Sequence, residues 1–191
     1  SSLNATELIA QRKNERMKVI AEKSFPFKWS MDTAKYDYVS FKGYEQAYKP
    51  SDATGLNRMY YDRTKPFTKQ VKFFNVFNAG DFVEAPTAYI IPQGWYAVID
   101  LLKLNNVQMQ QFKNDTLIDV EAYHIDDYKS TPKPYEKHHK NSAVKITTGN
   151  QKIRFLKGDY IIWLNQPANR YLVEMLEPTG DDSFFAWNFF D

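Results

Sequence analysis

Aromatic side chains are dense throughout this chain of 191 residues, which contains 14 Phe, 13 Tyr and 4 Trp. Bulky aromatic residues favour pleated strands and the interiors of sheet proteins over helical bundles. The length suits one domain with a sizeable core, or one domain with an added arm. The sequence therefore predicts a mainly β protein.

Strand-like segments are concentrated after residue 70, and two short helical patterns lie among them, around Val98 and over residues 167–177. The tight-turn pairs Gly149-Asn150 and Gly158-Asp159 predict that the last three strands form a meander. We therefore expect a β-sandwich-like domain over residues 68–191. Its predicted strands are Val71–Phe77, Ala88–Ile91, Val107–Phe112, Leu117–Ile125, Ala143–Thr148, Lys152–Leu156 and Tyr160–Leu164.

The first 67 residues follow a different pattern. Residues 3–23 predict a helix, in which Asn4 and Glu7 form a capping box and Leu3 packs against Leu8. Residues 25–67 contain many aromatic residues interrupted by turn formers, which predicts extended segments and loops. We interpret residues 1–67 as an N-terminal helix and extended docking arm. The chain starts with Ser, which suggests a processed or excised fragment.

The overall charge and the missing motifs disfavour several classes of function. Lys and Arg number 25 against 23 Asp and Glu, so no strong field attracts nucleic acid or an acidic membrane. The chain has no Cys, which excludes disulfides, thiolate nucleophiles and thiolate metal sites. It also lacks a G-x-S-x-G motif, a glycine-rich phosphate loop and an apolar run of roughly 20 residues. We expect no catalytic residue, no bound cofactor and no transmembrane segment in this chain.

The candidate metal ligands are His124, His138 and His139, with carboxylates nearby in sequence. Their spacing matches neither H-E-x-x-H nor H-x-x-E, which makes them weak zinc ligands. By strand parity His124 shares a face with Ile118 and Val120. We expect His124 to be a hydrogen-bonded histidine at the edge of the core.

Several motifs of residues 25–191 together resemble the C-terminal, non-catalytic region of bacterial (Bacteroidetes-type) proteins of the zinc carboxypeptidase, or carboxypeptidase A-like, family. They are Gly43-Tyr44-Glu45, Tyr61-Asp62-Arg63, Ala85–Pro92 with Trp95, Val98-Ile99 and Leu102, Tyr135-Glu136 with His138-His139, Gly158-Asp159-Tyr160, Gln166-Pro167, Arg170-Tyr171, Leu176-Glu177-Pro178, Asp182–Phe185 and Trp187–Phe190.

The resemblance implies a hydrolase family whose zinc site, with its H-x-x-E motif, lies in an upstream domain, and no position of this chain matches that site. The chain would then be a secreted, periplasmic or extracellular accessory domain with a structural or substrate-orienting role. Its partner would be the upstream peptidase domain of the same polypeptide, with a peptide or cell-wall substrate nearby. Zinc would be present only in that upstream domain.

The C-terminal motifs supply the predicted structural residues. The aromatic tail should pack back onto the domain as a strand or clamp, because burying several aromatic rings is strongly stabilising. In it, Trp187 should be buried and Asn188 hydrogen-bonded, and Glu177 should pair with a basic residue such as Arg170. Asp159 belongs to the predicted turn before the last strand.

Two other functions remain open. A carbohydrate- or peptidoglycan-binding β module would present Trp95, Trp163 or Trp187 in an exposed row. An autonomous hydrolase would need two carboxylates that face each other in a cleft.

We expect this chain alone to show no peptidase activity and to hold no tightly bound zinc, since its three His lack ligand spacing. Metal analysis after dialysis tests this prediction. One zinc per chain would contradict it.

Overall fold

The computed structural model describes residues 4–190. The protein is mainly β, as predicted, with 48% of its residues in strands and 18% in helices. In chain order the elements are α1 (Ala5–Ala21), β1 (Ser24–Met31), β2 (Asp37–Pro50), β3 (Asn57–Phe73), β4 (Phe77–Glu84), β5 (Ala88–Ile91), α2 (Tyr96–Leu104), β6 (Gln110–Gln111), β7 (Thr116–Ser130), β8 (Asn141–Phe155), β9 (Tyr160–Trp163) and α3 (Asn169–Leu176).

The strands form small separate sheets. Three sheets are the pairs β1–β4, β2–β3 and β7–β8, and the fourth has the order β5–β9–β6. No sheet closes within residues 4–190, so the expected sandwich is not confirmed. None of the helices described in this range is long and apolar enough to cross a membrane.

The chain divides into two compact units. Residues 29–79 form one, which we call the hairpin unit, and the residues before and after them form the other, the main unit. The expected division into an N-terminal helix and docking arm over residues 1–67 and a domain over residues 68–191 stays a prediction.

The core of the main unit lies between α2, β9 and α3. Helix α2 buries Val98, Ile99 and Leu102, whose spacing places them on one side of the helix. They pack with Ile162 of β9 and Leu172 of α3, both of which are completely buried. The sequence predicted both of these helices, although α3 begins at Asn169 rather than at Pro167.

Helix α1 also forms as predicted, and its capping box is complete. The Asn4 side chain accepts a hydrogen bond from the Glu7 backbone N–H at 2.9 Å, and the Glu7 carboxylate accepts one from the Asn4 N–H at 3.1 Å. Leu3, the other residue of the predicted apolar contact with Leu8, lies outside the described residues. No residue of α1 is buried, so the cap rather than packing defines where the helix starts.

The predicted turn at Gly149-Asn150 is wrong. Gly149 lies opposite Ala122 in the middle of β8, which pairs with β7 as one long antiparallel hairpin. A tight hairpin turn needs positive φ angles, and Gly149 does not have one, whereas Gly158 has φ +100° and does turn the chain between β8 and β9.

Residues 25–67 are also more regular than the sequence predicts. Strands β2 and β3 pair along their whole lengths, with one irregularity between Tyr44 and Glu45. Most of their side chains are exposed on both faces of the ribbon. A strand is recognised in a sequence by alternating polar and apolar residues, which arise when one face is buried. Neither face of β2 and β3 is buried, so their sequences lack this alternation.

The C-terminal tail packs back onto the main unit, as expected, but as a series of turns rather than a strand. Phe184 and Ala186 are each 1% exposed, and Phe184 belongs to the core. Asn141 holds the tail, because its backbone N–H donates to the Ala186 carbonyl at 2.7 Å and its side chain donates to the Phe185 carbonyl at 3.0 Å.

Phe184→Ala should therefore lower the free energy of unfolding by about 3–5 kcal/mol, because it leaves a cavity in the core. The matched control is Phe82→Ala, since Phe82 is 62% exposed and should cost no more than about 0.5 kcal/mol. Urea unfolding followed by circular dichroism measures both. Equal effects of the two substitutions would contradict the placement of Phe184 in the core.

Candidate functional site

A cleft of about 820 Å³ lies in the main unit between the β5–β9–β6 sheet and the β7–β8 hairpin. We call it the β5–β7 cleft. Residues 86–92 form one wall and residues 118–123 of β7 form the other. The remaining lining side chains are almost all apolar: Trp95, Ile153, Phe155, Ile161, Trp163, Leu176 and Phe190.

The Asp159 carboxylate fixes the wall that contains β5. Asp159 is 4% exposed, and it accepts hydrogen bonds from the backbone N–H groups of Gln93 at 2.9 Å and Leu156 at 2.7 Å. These bonds join the end of β5 to the turn between β8 and β9. Asp159 therefore fixes the backbone that supports this wall of the cleft.

Two of the three tryptophans considered for a binding row line this cleft. Trp163 is 40% exposed, and Trp95 is half-buried with its ring edge-on to Phe190 at 5.1 Å between centroids. Trp187 is not part of the cleft: it is half-buried rather than buried as expected, and it packs near Tyr135. The predicted row of three tryptophans is therefore not formed.

Glu177 is a buried carboxylate, 4% exposed, which accepts a hydrogen bond from the Tyr89 hydroxyl at 2.5 Å. Burial, followed by the negative charge of Glu177, raises the pKa of Tyr89 well above its usual value. The same two causes raise the pKa of Tyr123. Both tyrosines line the cleft, so one buried charge acts on both of its walls.

The predicted Glu177–Arg170 pair is wrong. The guanidinium of Arg170 binds the Glu174 carboxylate, one helical turn away on the same face of α3. Glu177 follows the last residue of α3 in an extended conformation, which directs it to Tyr89 instead. Asn188 is hydrogen-bonded as expected, but through its backbone N–H, which donates to the Phe185 carbonyl at 3.0 Å.

The charged residues of the cleft walls are both acidic. Asp119 and Glu121 alternate with apolar residues along β7, so they lie side by side on one strand. The Asp119 carboxylate is 3.9 Å from the Lys152 ammonium, and both side chains are more than half exposed. An ion pair this exposed is weak, so the walls of the cleft keep their negative charge.

The histidines do not form a common site. His124 is exposed and makes no hydrogen bond within residues 4–190, so its expected place at the core's edge is wrong. Half-buried and exposed residues alternate along β7 up to Tyr123, and His124 breaks this alternation. The ring of His138 packs against Phe189, and Nδ1 of His139 lies 2.7 Å from the Thr131 carbonyl oxygen. In the described range no group of three or more His, Asp or Glu side chains is placed to hold a metal ion.

The sequence analysis did not predict the buried Gln166, which positions the segment before α3. Its side-chain amide donates to the carbonyls of Gln108 at 3.0 Å and Trp163 at 2.9 Å, and its oxygen accepts from the Gln108 N–H at 2.8 Å. These bonds fix the backbone of Trp163, which lines the cleft. Gln166 lies in a surface-like stretch next to Pro167, and nothing in the spacing of the residues marks it as buried.

A scan against protein-family models and searches of curated proteins and of solved structures found no match. The resemblance to the zinc carboxypeptidase family therefore stays a prediction that rests on the motifs.

Tyr89→Phe should lower the free energy of unfolding at pH 7 by about 1–3 kcal/mol, because the buried Glu177 carboxylate loses a hydrogen-bond donor. Tyr89 has a raised pKa in the folded protein, so above pH 10 the unfolded chain loses this proton first. Folding stability should then fall with rising pH, by up to about 1.4 kcal/mol per pH unit for this group.

The Tyr89→Phe protein should lack this part of the decline. Urea unfolding between pH 8 and about 11 measures the slopes. The control is Tyr96→Phe, because Tyr96 is 74% exposed and its removal should leave the slope unchanged. A parallel decline in the Tyr89→Phe and unmodified proteins would refute the role of Tyr89.

Proposed function

We propose that this chain is a non-catalytic accessory domain that docks through its hairpin unit onto the peptidase domain of a zinc carboxypeptidase-like protein. Its role there is structural, or it orients substrate near the catalytic cleft. The proposal includes a secreted, periplasmic or extracellular location, with zinc held by the peptidase domain alone.

The exposed apolar surface of the hairpin unit is the observation that carries the docking. Tyr38 is 63% exposed and Phe41 is 52% exposed, although strand parity places them on opposite faces of β2. Tyr48, Tyr61 and Phe73 are also more than half exposed. A lone two-stranded ribbon is only marginally stable in water, and contiguous exposed apolar surface marks an interaction site.

The identity of the partner rests on the family resemblance. The family places its zinc peptidase domain upstream of the region that this chain resembles. An upstream domain of the same polypeptide would be held close by the chain connection, so even a modest interface would stay occupied.

The test begins with the reading frame upstream of residue 1, which should encode a domain with an H-x-x-E zinc motif. That domain, produced separately, should bind this chain in isothermal titration calorimetry. Tyr38→Ser together with Tyr48→Ser should weaken binding by about 30-fold or more, since strand parity places both tyrosines on one face of β2 and each aromatic residue at an interface centre can contribute about 2 kcal/mol.

The matched control is Tyr96→Ser together with Leu104→Ser, since these two residues of the main unit are 74% and 77% exposed. The control should bind like the unmodified chain. Equal losses in both double variants would refute docking through the hairpin unit. A reading frame without an upstream zinc domain would refute the choice of partner.

A further inference from the structure

We propose that the β5–β7 cleft binds an extended peptide, which adds as a strand to the free edge of β5, and that this peptide combines apolar side chains with basic ones. The inference rests on the cleft of the main unit alone and does not depend on docking through the hairpin unit.

The first observation is that the cleft lies between two free strand edges. Within residues 4–190, strand β5 pairs only with β9, strand β7 pairs only with β8, and the two are not hydrogen-bonded to each other. Free edges present rows of backbone donors and acceptors, which an added strand can satisfy.

The register of β5 identifies which of its backbone groups are free. The Leu164 N–H donates to the Thr87 carbonyl at 3.1 Å, and Ala88 lies opposite Trp163. Because bonded pairs alternate along an antiparallel ladder, the N–H and C=O groups of Ala88 and Ile90 point away from β9. A peptide strand beside β5 would bond to these two residues.

The residues that line the cleft agree with a peptide that approaches the free edge of β5. A groove that lies over the face of a sheet touches every second residue of a strand, because side chains alternate between the two faces. Here consecutive residues of the edge strands β5 and β7 line the cleft, within 86–92 and 118–123, whereas β8 contributes only Ile153 and Phe155 and β9 only Ile161 and Trp163. Strands β5 and β7 therefore present their edges to the cleft, and β8 and β9 present a face to it.

The side chains around the cleft select the peptide. Trp95, Trp163 and Leu176 offer apolar contacts for alternate side chains of an added strand. Asp119 and Glu121 are the charged residues of the walls, and among the described residues no Lys or Arg lines the cleft. Glu121 makes no ion pair within the described range 4–190. Charge complementarity therefore favours a peptide with Lys or Arg beside its apolar residues.

The probe is a capped, fluorescein-labelled hexapeptide in which Val and Lys alternate, and fluorescence anisotropy at low salt measures its binding to the full chain. Three comparison peptides isolate the two features of the proposal. One has N-methyl groups on alternate backbone amides, one has Glu in place of Lys, and one has Ser in place of Val.

The unmodified peptide should bind, and each comparison peptide should bind at least about tenfold more weakly, because each loses one of the required contacts. In the complex, the amide protons of Ala88 and Ile90 should exchange with solvent at least tenfold more slowly, as judged by nuclear magnetic resonance. The double variant in the hairpin unit, Tyr38→Ser with Tyr48→Ser, should bind the peptide normally, which separates this inference from the docking proposal.

Glu121→Lys should weaken binding of the Val-Lys peptide by about tenfold, since it reverses the charge of the cleft wall. The matched control is Asp126→Lys, an equal change at an exposed carboxylate of the same strand outside the cleft, which should alter binding less than about twofold.

Equal binding of the N-methylated peptide would overturn strand addition, and equal effects of the two charge reversals would overturn the choice of the cleft. Absence of peptide binding at millimolar concentration would overturn the proposal as a whole. Binding of a chitin oligosaccharide instead, lost in Trp163→Ala, would assign the cleft to sugar recognition.

Discussion

The packing of α2, β9 and α3 around Ile162 is the interaction on which the main unit depends. Val98, Leu102, Ile162 and Leu172 are all completely buried, and Phe184 closes the same cluster from the C-terminal tail. Burial of one such side chain contributes about 1.5–3 kcal/mol, while the net stability of a domain is only about 5–15 kcal/mol. Because the core is small, hydrogen bonds to the buried polar groups near it matter for the net stability of the domain.

Most of those polar groups are hydrogen-bonded, with the Asn141 Oδ1 atom as an exception, and the bonds that they make build the cleft. Asp159 accepts two backbone hydrogen bonds, Gln166 makes three through its side chain, and Glu177 binds the Tyr89 hydroxyl. The Asp159–Gln93, Gln166–Gln108 and Glu177–Tyr89 contacts join residues far apart in sequence, and together they hold segments that border the cleft. The stability of the main unit and the shape of the cleft therefore depend on the same hydrogen bonds.

Sequence patterns predicted the helices, through the capping box of α1 and the core-facing spacing of α2, and missed the pairing of strands β2 and β3, which bury neither face. Helix α2 was predicted correctly because Val98, Ile99 and Leu102 repeat with helical spacing and face the core. Residues 25–67 were predicted as extended segments and loops rather than as a paired hairpin, because both faces of β2 and β3 are exposed, and Gly149 was predicted as a turn although it lies inside β8. The partner of Glu177 also depended on tertiary structure: Arg170 is near in sequence, but Tyr89 is near in space.

The exposed ribbon of the hairpin unit raises a physical problem, since free edges and aromatic side chains promote aggregation. Lysine side chains cover several of its rings: Lys72 lies over Tyr36 at 4.2 Å, Lys69 over Phe67 at 4.6 Å and Lys49 over Tyr60 at 5.3 Å, measured from the ammonium nitrogen to the ring centroid. Such contacts attract the ring and the cation while placing a hydrated positive charge on the surface. A second copy of the ribbon would bring lysine against lysine, which opposes self-association. A partner with acidic groups around an apolar surface would pair with the lysines and bury the rings, and this is the chemistry that the docking proposal requires of the peptidase domain.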